Sequence, residues 1–397
     1  MGSQPVKQSI AIHGDYIAER ALRMKNFGTL FWYEMKKICG NRTTQAVFLV
    51  LVFFSVMQGL MQVDMDKDDW RFTEYRKIDG RSLDDALLSE MVEAADEYGV
   101  RWEASNIAYM PLSEFVREVG EYGTPLAEYN AEKIYEKRMD RIEEAKQMCQ
   151  LTEPEIAFWA QKEGLVGKPF VWRMQIVPQA MVDGVANNMV AFLFLITISL
   201  SGVFAQETHL RTLPMLQVAQ NGWRSLYWAK IAAGMCFVTG SFMVVLGLFF
   251  VVCVSKWGTE GLDAAVQLLY PFSESPIEIG ELVVILLVLV FSASLMLAGM
   301  TMLLSEVLRN AVAVMAVMLG GYVGTIALAH QIPYSQRLLS QMNDLSPAIL
   351  VTPRVVYEYR LIRIAGHYLT AYQAAPMLYM GIAVALVLLG GRWYRRR

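Results

Sequence analysis

The side chains able to do chemistry are few and poorly placed for it. The four histidines, His13, His209, His330 and His367, stand isolated, and no H-E-x-x-H pair exists to hold zinc on one helical face. The cysteines Cys39, Cys149, Cys236 and Cys253 are scattered, and Cys149 is alone in the polar stretch 64–183, so that stretch holds no internal disulfide. Cys236 and Cys253 fall in one apolar run, where small thiols act as packing residues. Gly164-Leu165-Val166-Gly167-Lys168-Pro169 has the lysine of a phosphate loop. Its glycines are too close together, however, and Pro169 stands where Ser or Thr would hold magnesium. The sequence therefore assigns this chain no catalytic residue, no cofactor-binding residue and no metal ligand, and it is not read as an enzyme.

Composition moves the question to the membrane. The 397 residues are 55% hydrophobic and 18% charged, with mean hydropathy +0.32, above the usual globular share. The net charge of −3 gives no basic field of the kind that gathers nucleic acid. Six stretches lack Asp, Glu, Lys and Arg: 43–63, 184–206, 231–255, 282–305, 310–329 and 377–391. Each is long or apolar enough to cross about 30 Å of hydrocarbon, the last with help from the uncharged run after Tyr368. Carboxylates, Lys and His are missing from mid-depth, which disfavours coupling to a proton or sodium gradient. The sequence thus predicts an all-α membrane protein of six transmembrane helices.

Charge sets the expected sidedness. Lys36, Lys37 and Arg42 precede the first stretch and Arg392, Arg395, Arg396 and Arg397 follow the last, while Asp64, Asp66, Asp68 and Asp69 follow the first. Lys and Arg collect on the cytoplasmic side, so both termini are expected inside a plasma membrane and 64–183 outside. That extracellular segment carries 26 acidic and 15 basic side chains. It reads as helical: Ser82-x-x-Asp85 and Thr152-Glu153-Pro154-Glu155 have the form of helix starts. Leu126 to Gln147 is a further helix with a narrow stripe of Tyr135, Met139 and Ile142, which fits a helical pair or a solvated arm. The outer loops are 256–281 and 330–373, and Arg337, Arg354, Arg360 and Arg363 in the second are expected to pair with the acidic segment.

Residues 1–26 mix charges without an apolar core and are expected to be flexible, with no signal peptide. Met1-Gly2-Ser3 has the look of a cloning remnant, and Met24 would serve as a start. From 27 to 42 the pattern changes. Phe27, Leu30, Phe31, Met35 and Ile38 share one helical face while Glu34, Lys36 and Lys37 occupy others. This is expected to be an amphipathic helix at the headgroup level, turning into the membrane at Gly40-Asn41.

The segment between the second and third stretches, 206–230, is the most informative. It reads Gln206-Glu207-Thr208-His209-Leu210-Arg211-Thr212-Leu213-Pro214-Met215-Leu216, with Asn221-Gly222 and Lys230 following. An acidic residue closing a helix, then Thr-Leu and a leucine run, a small polar turn and a Lys opening the next helix resemble the permease subunits of type-2 ABC transporters. The resemblance extends to the layout of the whole chain: an amphipathic helix, one span, a large outer insert, five spans and a basic tail. It departs from the pattern in lacking a glycine after Glu207 and in placing Pro214 within the leucine run.

The resemblance implies a short coupling helix, built on Glu207, Leu210, Arg211, Thr212, Leu213 and Leu216, that docks into a groove of a separate ATPase subunit. Apolar leucines suit such a groove, while Glu207 and Arg211 would orient the helix. ATP and Mg²⁺ would be bound by the partner ATPase and none by this chain. A second permease copy or homologue would complete a homodimer or heterodimer exporting a hydrophobic or amphipathic peptide, drug or lipid. Two other readings stay open: a secondary transporter or channel with an extracellular cap, and a membrane-anchored sensor or scaffold. Gly320 and Gly324, with Gly321 between them, are expected to serve close helix packing within the chain.

Overall fold

The computed structural model describes residues 27–63, 69–95, 104–121, 123–209, 222–329, 331–364 and 366–395. A helix at 27–40 (α1) runs into α2, Arg42–Met61, across a break at Asn41, whose side-chain oxygen accepts from the Thr43 amide at 2.9 Å. The polar segment then supplies α3 (Trp70–Tyr75), α4 (Asp85–Ala94), α5 (Met110–Val119), α6 (Ala131–Met148) and α7 (Glu153–Glu163). The remaining long helices are α8 (Ile176–Leu200), continued after Ser201 by α9 (Gly202–His209), then α10 (Gly222–Trp257), α11 (Ile279–Leu308) and α12 (Ala311–Ala329). Two short helices, α13 (Arg337–Asp344) and α14 (Pro347–Leu350), precede the last, α15 (Ala371–Arg395). A small antiparallel hairpin, β1 (Ile362–Ile364) with β2 (His367–Leu369), interrupts the helical pattern just before α15.

Six of these helices are long and apolar enough to span a membrane: Arg42–Met61, Ile176–Gln206, Arg224–Trp257, Ile279–Leu308, Ala311–Ala329 and Ala371–Arg395. Their centre is α11, which packs most extensively on α15 and α8. Burial falls off outward: 72% of the apolar window of the second span and 67% of the fourth lie inside the protein, against 11% for the fifth. The fifth span, α12, buries Val314 and Met318 on one face. A Cβ at Gly320, Gly321 or Gly324 would meet nothing within 4 Å. The intrachain packing expected of Gly320 and Gly324 finds no partner within that distance among the described residues. A closer helix contact lies elsewhere, at Gly184, where a Cβ would overlap the buried ring of Phe249 on α10.

The second span begins two turns earlier than its uncharged run, at Ile176, and so includes Asp183. Below it the polar domain is not a separate body. Phe72, Leu87, Met91, Leu112, Val116 and Phe170 belong to the same contiguous apolar core as the spans. A smaller core of Ile142, Trp159, Tyr359 and Leu361 joins α6 and α7 to the segment after the fifth span. Caps follow the sequence in part. Glu155 accepts from the Thr152 amide at 2.8 Å, as the Thr-x-x-Glu spacing predicts, but α4 starts from Asp84 rather than Ser82, with the Leu87 amide 2.9 Å from its carboxylate.

The buried face of α6 differs from the expected stripe. It consists of Ile134, Arg138, Ile142 and Lys146, a spacing of four that places two cations among the inward side chains. Each finds a carboxylate from elsewhere in the chain. Arg138 binds Glu163 through two nitrogens at 2.7 and 3.0 Å and donates to the Pro271 and Ser273 carbonyls at 2.6 and 2.7 Å. Lys146 pairs with Glu274 at 2.8 Å. The loop between α10 and α11 is thereby tied to the domain at Pro271, Ser273 and Glu274. Arg337 pairs with Glu155, and Arg360 donates to the Cys149 and Tyr334 carbonyls at 3.0 and 2.8 Å and to the Ser340 hydroxyl. Two of the four arginines in the loop after the fifth span thus contact the polar segment or its helix end. All four cysteines are free thiols.

Candidate functional site

At the end of the bundle away from the polar domain, four elements meet around one buried ion pair. Glu34 on α1 is 2% exposed and Lys230 on α10 is fully buried. The Lys230 ammonium lies 3.1 Å from the Glu34 carboxylate and donates to the Val203 carbonyl at 2.9 Å, with the Phe204 ring 5.5 Å away. Lys37, one turn along α1, adds a second ammonium 3.2 Å from the same carboxylate. A buried charge is tolerated only where partners satisfy it, so α1, α9 and α10 are held in one relative arrangement by this contact.

The junction of α8 and α9, just before Val203, is held by a third helix. The helical ladder is interrupted at Ser201, and the Ser305 hydroxyl of α11 fills the gap. It donates to the Ser201 carbonyl at 2.6 Å and accepts from the Phe204 and Ala205 amides at 3.1 and 3.2 Å. Beneath it, Phe204, Tyr227 and Tyr394 form an aromatic triangle with centroids 5.6–5.8 Å apart, in the offset and edge arrangements that rings prefer. The Tyr227 hydroxyl donates to the Val387 carbonyl. Gly390 and Gly391 let α15 approach: a Cβ would meet the Tyr227 ring or hydroxyl at 2.8 and 3.2 Å. A crevice of about 330 Å³ opens beside the ion pair, with Glu34, Lys37, Ser199 and Gln206 on its walls and the start of α12 closing one side.

The residues singled out in the sequence fall around this point to different degrees. Glu207 lies in the last turn of α9, directly after the Gln206 wall of the crevice, while Leu210, Arg211, Thr212, Leu213 and Leu216 lie outside the described residues. Phe31 and Met35 pack against the core and Ile38 is buried. Phe27 and Lys36 are exposed and Lys37 is half-buried. Glu34 departs from the expected pattern: it lies on the buried face with Ile38 rather than on the polar one. The reason is Lys230, whose ammonium reaches it across 196 positions of sequence. Trp32 and Tyr33, at 64% and 62% exposure, also point outward from α1.

Sequence reasoning placed Lys230 at the opening of a helix but did not pair it. The signal was present, because a lone Lys at the end of an apolar helix needs a carboxylate or carbonyl partner. Among the described residues no cluster of three or more His, Cys, Asp or Glu side chains is placed to hold a metal ion. Through Lys230, the Val203 carbonyl and Phe204 of α9 are joined to α1 and α10. Comparison of the chain with protein-family models, with curated proteins and with solved structures gives no match.

Proposed function

We propose that the chain is the permease half of an ATP-driven exporter, in which separate ATPase subunits bind ATP and Mg²⁺ and a second permease copy or homologue completes the pathway. The observation that carries this reading is the Glu34–Lys230 pair. It fastens the helix 27–40 to the two helices that flank segment 210–221, where the coupling residues are expected. Closure of a docked ATPase would push on that segment. The push would reach the first span through α1 and the third through α10, with the Ser305 hydroxyl coupling α9 to the central helix α11.

In this reading α1 lies at the cytoplasmic headgroup level with Trp32 and Tyr33 toward lipid. Both termini are cytoplasmic, and the polar domain stands on the extracellular side of a plasma membrane, following the distribution of Lys and Arg. The cargo is a hydrophobic or amphipathic peptide, drug or lipid. The test is transport and ATP hydrolysis by the reconstituted complex carrying Glu207→Ala or Leu213→Asp. Both variants should assemble in the membrane and lose coupling, hydrolysing ATP without moving cargo. Wild-type coupled transport in both would remove the docking assignment.

A further inference from the structure

We infer that the groove beside the first turns of α11 binds a phospholipid with a primary amine in its headgroup, taken from the leaflet next to the polar domain. The groove holds about 870 Å³ and runs from the loop at 262–278 down the outer face of α11. Its lower wall is Val284, Ile285 and Val288, of which Val284 and Val288 are 58% and 47% exposed. At 1.5 Å per residue Val288 sits about 10 Å deeper than Glu281. Its mouth carries Lys162, Asp263, Glu278 and Glu281. A charged mouth over an apolar wall has the form of an amphiphile site rather than of a solute pocket.

The charges narrow the ligand. Asp263 is already paired with Arg173 at 3.2 Å. Among the described residues Glu278, Glu281 and Lys162 have no ion-pair partner. The two carboxylates are held by the start of α11, where each accepts a backbone amide of the other, Glu281 from Glu278 at 3.2 Å. Two fixed anions and one cation complement a zwitterion: its phosphate meets Lys162 and its ammonium meets the glutamates. A primary ammonium donates N–H bonds to carboxylates, whereas a quaternary one has none to give, and an anionic headgroup is repelled by the pair. Phosphatidylethanolamine satisfies all three conditions. The inference needs only that the chain lies in a bilayer, so it stands or falls independently of ATP-driven transport.

The experiment uses the purified full chain in nanodiscs of phosphatidylcholine doped with an equal small fraction of photoactivatable phosphatidylethanolamine, phosphatidylcholine or phosphatidylglycerol. Labelled peptides are then located by mass spectrometry. The ethanolamine probe should label peptides within 262–288 about fivefold more than either other probe, the preference expected of two exposed ion pairs. The double variant Glu278→Gln/Glu281→Gln, checked for an unchanged elution profile, should lose that preference. Equal labelling by the three probes overturns the inference, as does an ethanolamine preference that survives in the folded double variant.

Discussion

Replacing Lys230 with methionine would leave the Glu34 carboxylate buried beside Ile38 with Lys37 as its remaining cation, 3.2 Å away and partly in water. Removing one partner of a buried pair costs about 3–5 kcal/mol, because the other charge stays desolvated. Lys37 offsets part of that, so about 3 kcal/mol is expected for Lys230→Met, including the lost donor to the Val203 carbonyl. Glu34→Leu should also destabilise, by less, since it removes a carboxylate from a fully buried ammonium that keeps the Val203 carbonyl at 2.9 Å. The double variant Lys230→Met/Glu34→Leu replaces both charges with apolar groups of comparable volume, and such replacements run from neutral to favourable. It should lie within about 1 kcal/mol of wild type, giving a coupling of several kcal/mol in a double-mutant cycle. Reversible unfolding in mixed micelles measures all four proteins. Single variants within about 0.5 kcal/mol of wild type, with an additive double variant, would mean that water screens the pair and that it does not hold α1 to α10.

Other parts of the structure give sharp expectations. Gly184→Ala should cost about 1–3 kcal/mol by overpacking against Phe249, and Phe249→Leu should cost less in that background than alone, read by the same unfolding assay. Gly320→Leu and Gly324→Leu should leave monomer stability within about 0.5 kcal/mol of wild type, because no described residue occupies the space beside them; a large loss would restore the intrachain packing role. Burial, reinforced by Asp344, pushes the Glu358 carboxyl in the loop after the fifth span up to about 7. The unfolded group titrates near its ordinary 4.5, so between those values the folded chain holds a proton that the unfolded chain has lost. Stability should therefore fall as pH rises from about 4.5 to about 7 and level off above, and Glu358→Gln should flatten that slope in pH-dependent thermal melts.

Much of this architecture was legible because lipid imposes simple demands. Uncharged runs marked all six long apolar helices, since every backbone group in a bilayer must bond within its own helix. The Thr152–Glu155 cap was equally readable, being local. What sequence patterns missed were inward charges with distant partners. Arg138 and Lys146 look like solvated residues on an amphipathic arm, and nothing nearby in sequence announces Glu163 or Glu274. Glu34 looks like the polar face of α1 for the same reason. The glycines of α12 mislead in the opposite direction, since small residues permit close packing but do not say which neighbour supplies it. At the candidate site the helix ends were visible in advance, and the ion pair that joins them was not.

On the proposed function this chain works with a separate ATPase. Tagged at its C-terminus, extracted from native membranes in mild detergent and analysed by quantitative mass spectrometry, it should carry a nucleotide-binding subunit in equal amount, released by Leu213→Asp. Recovery of intact, folded chain without any such subunit, together with solute movement by the chain alone under an ion gradient in ATP-free vesicles, would contradict it.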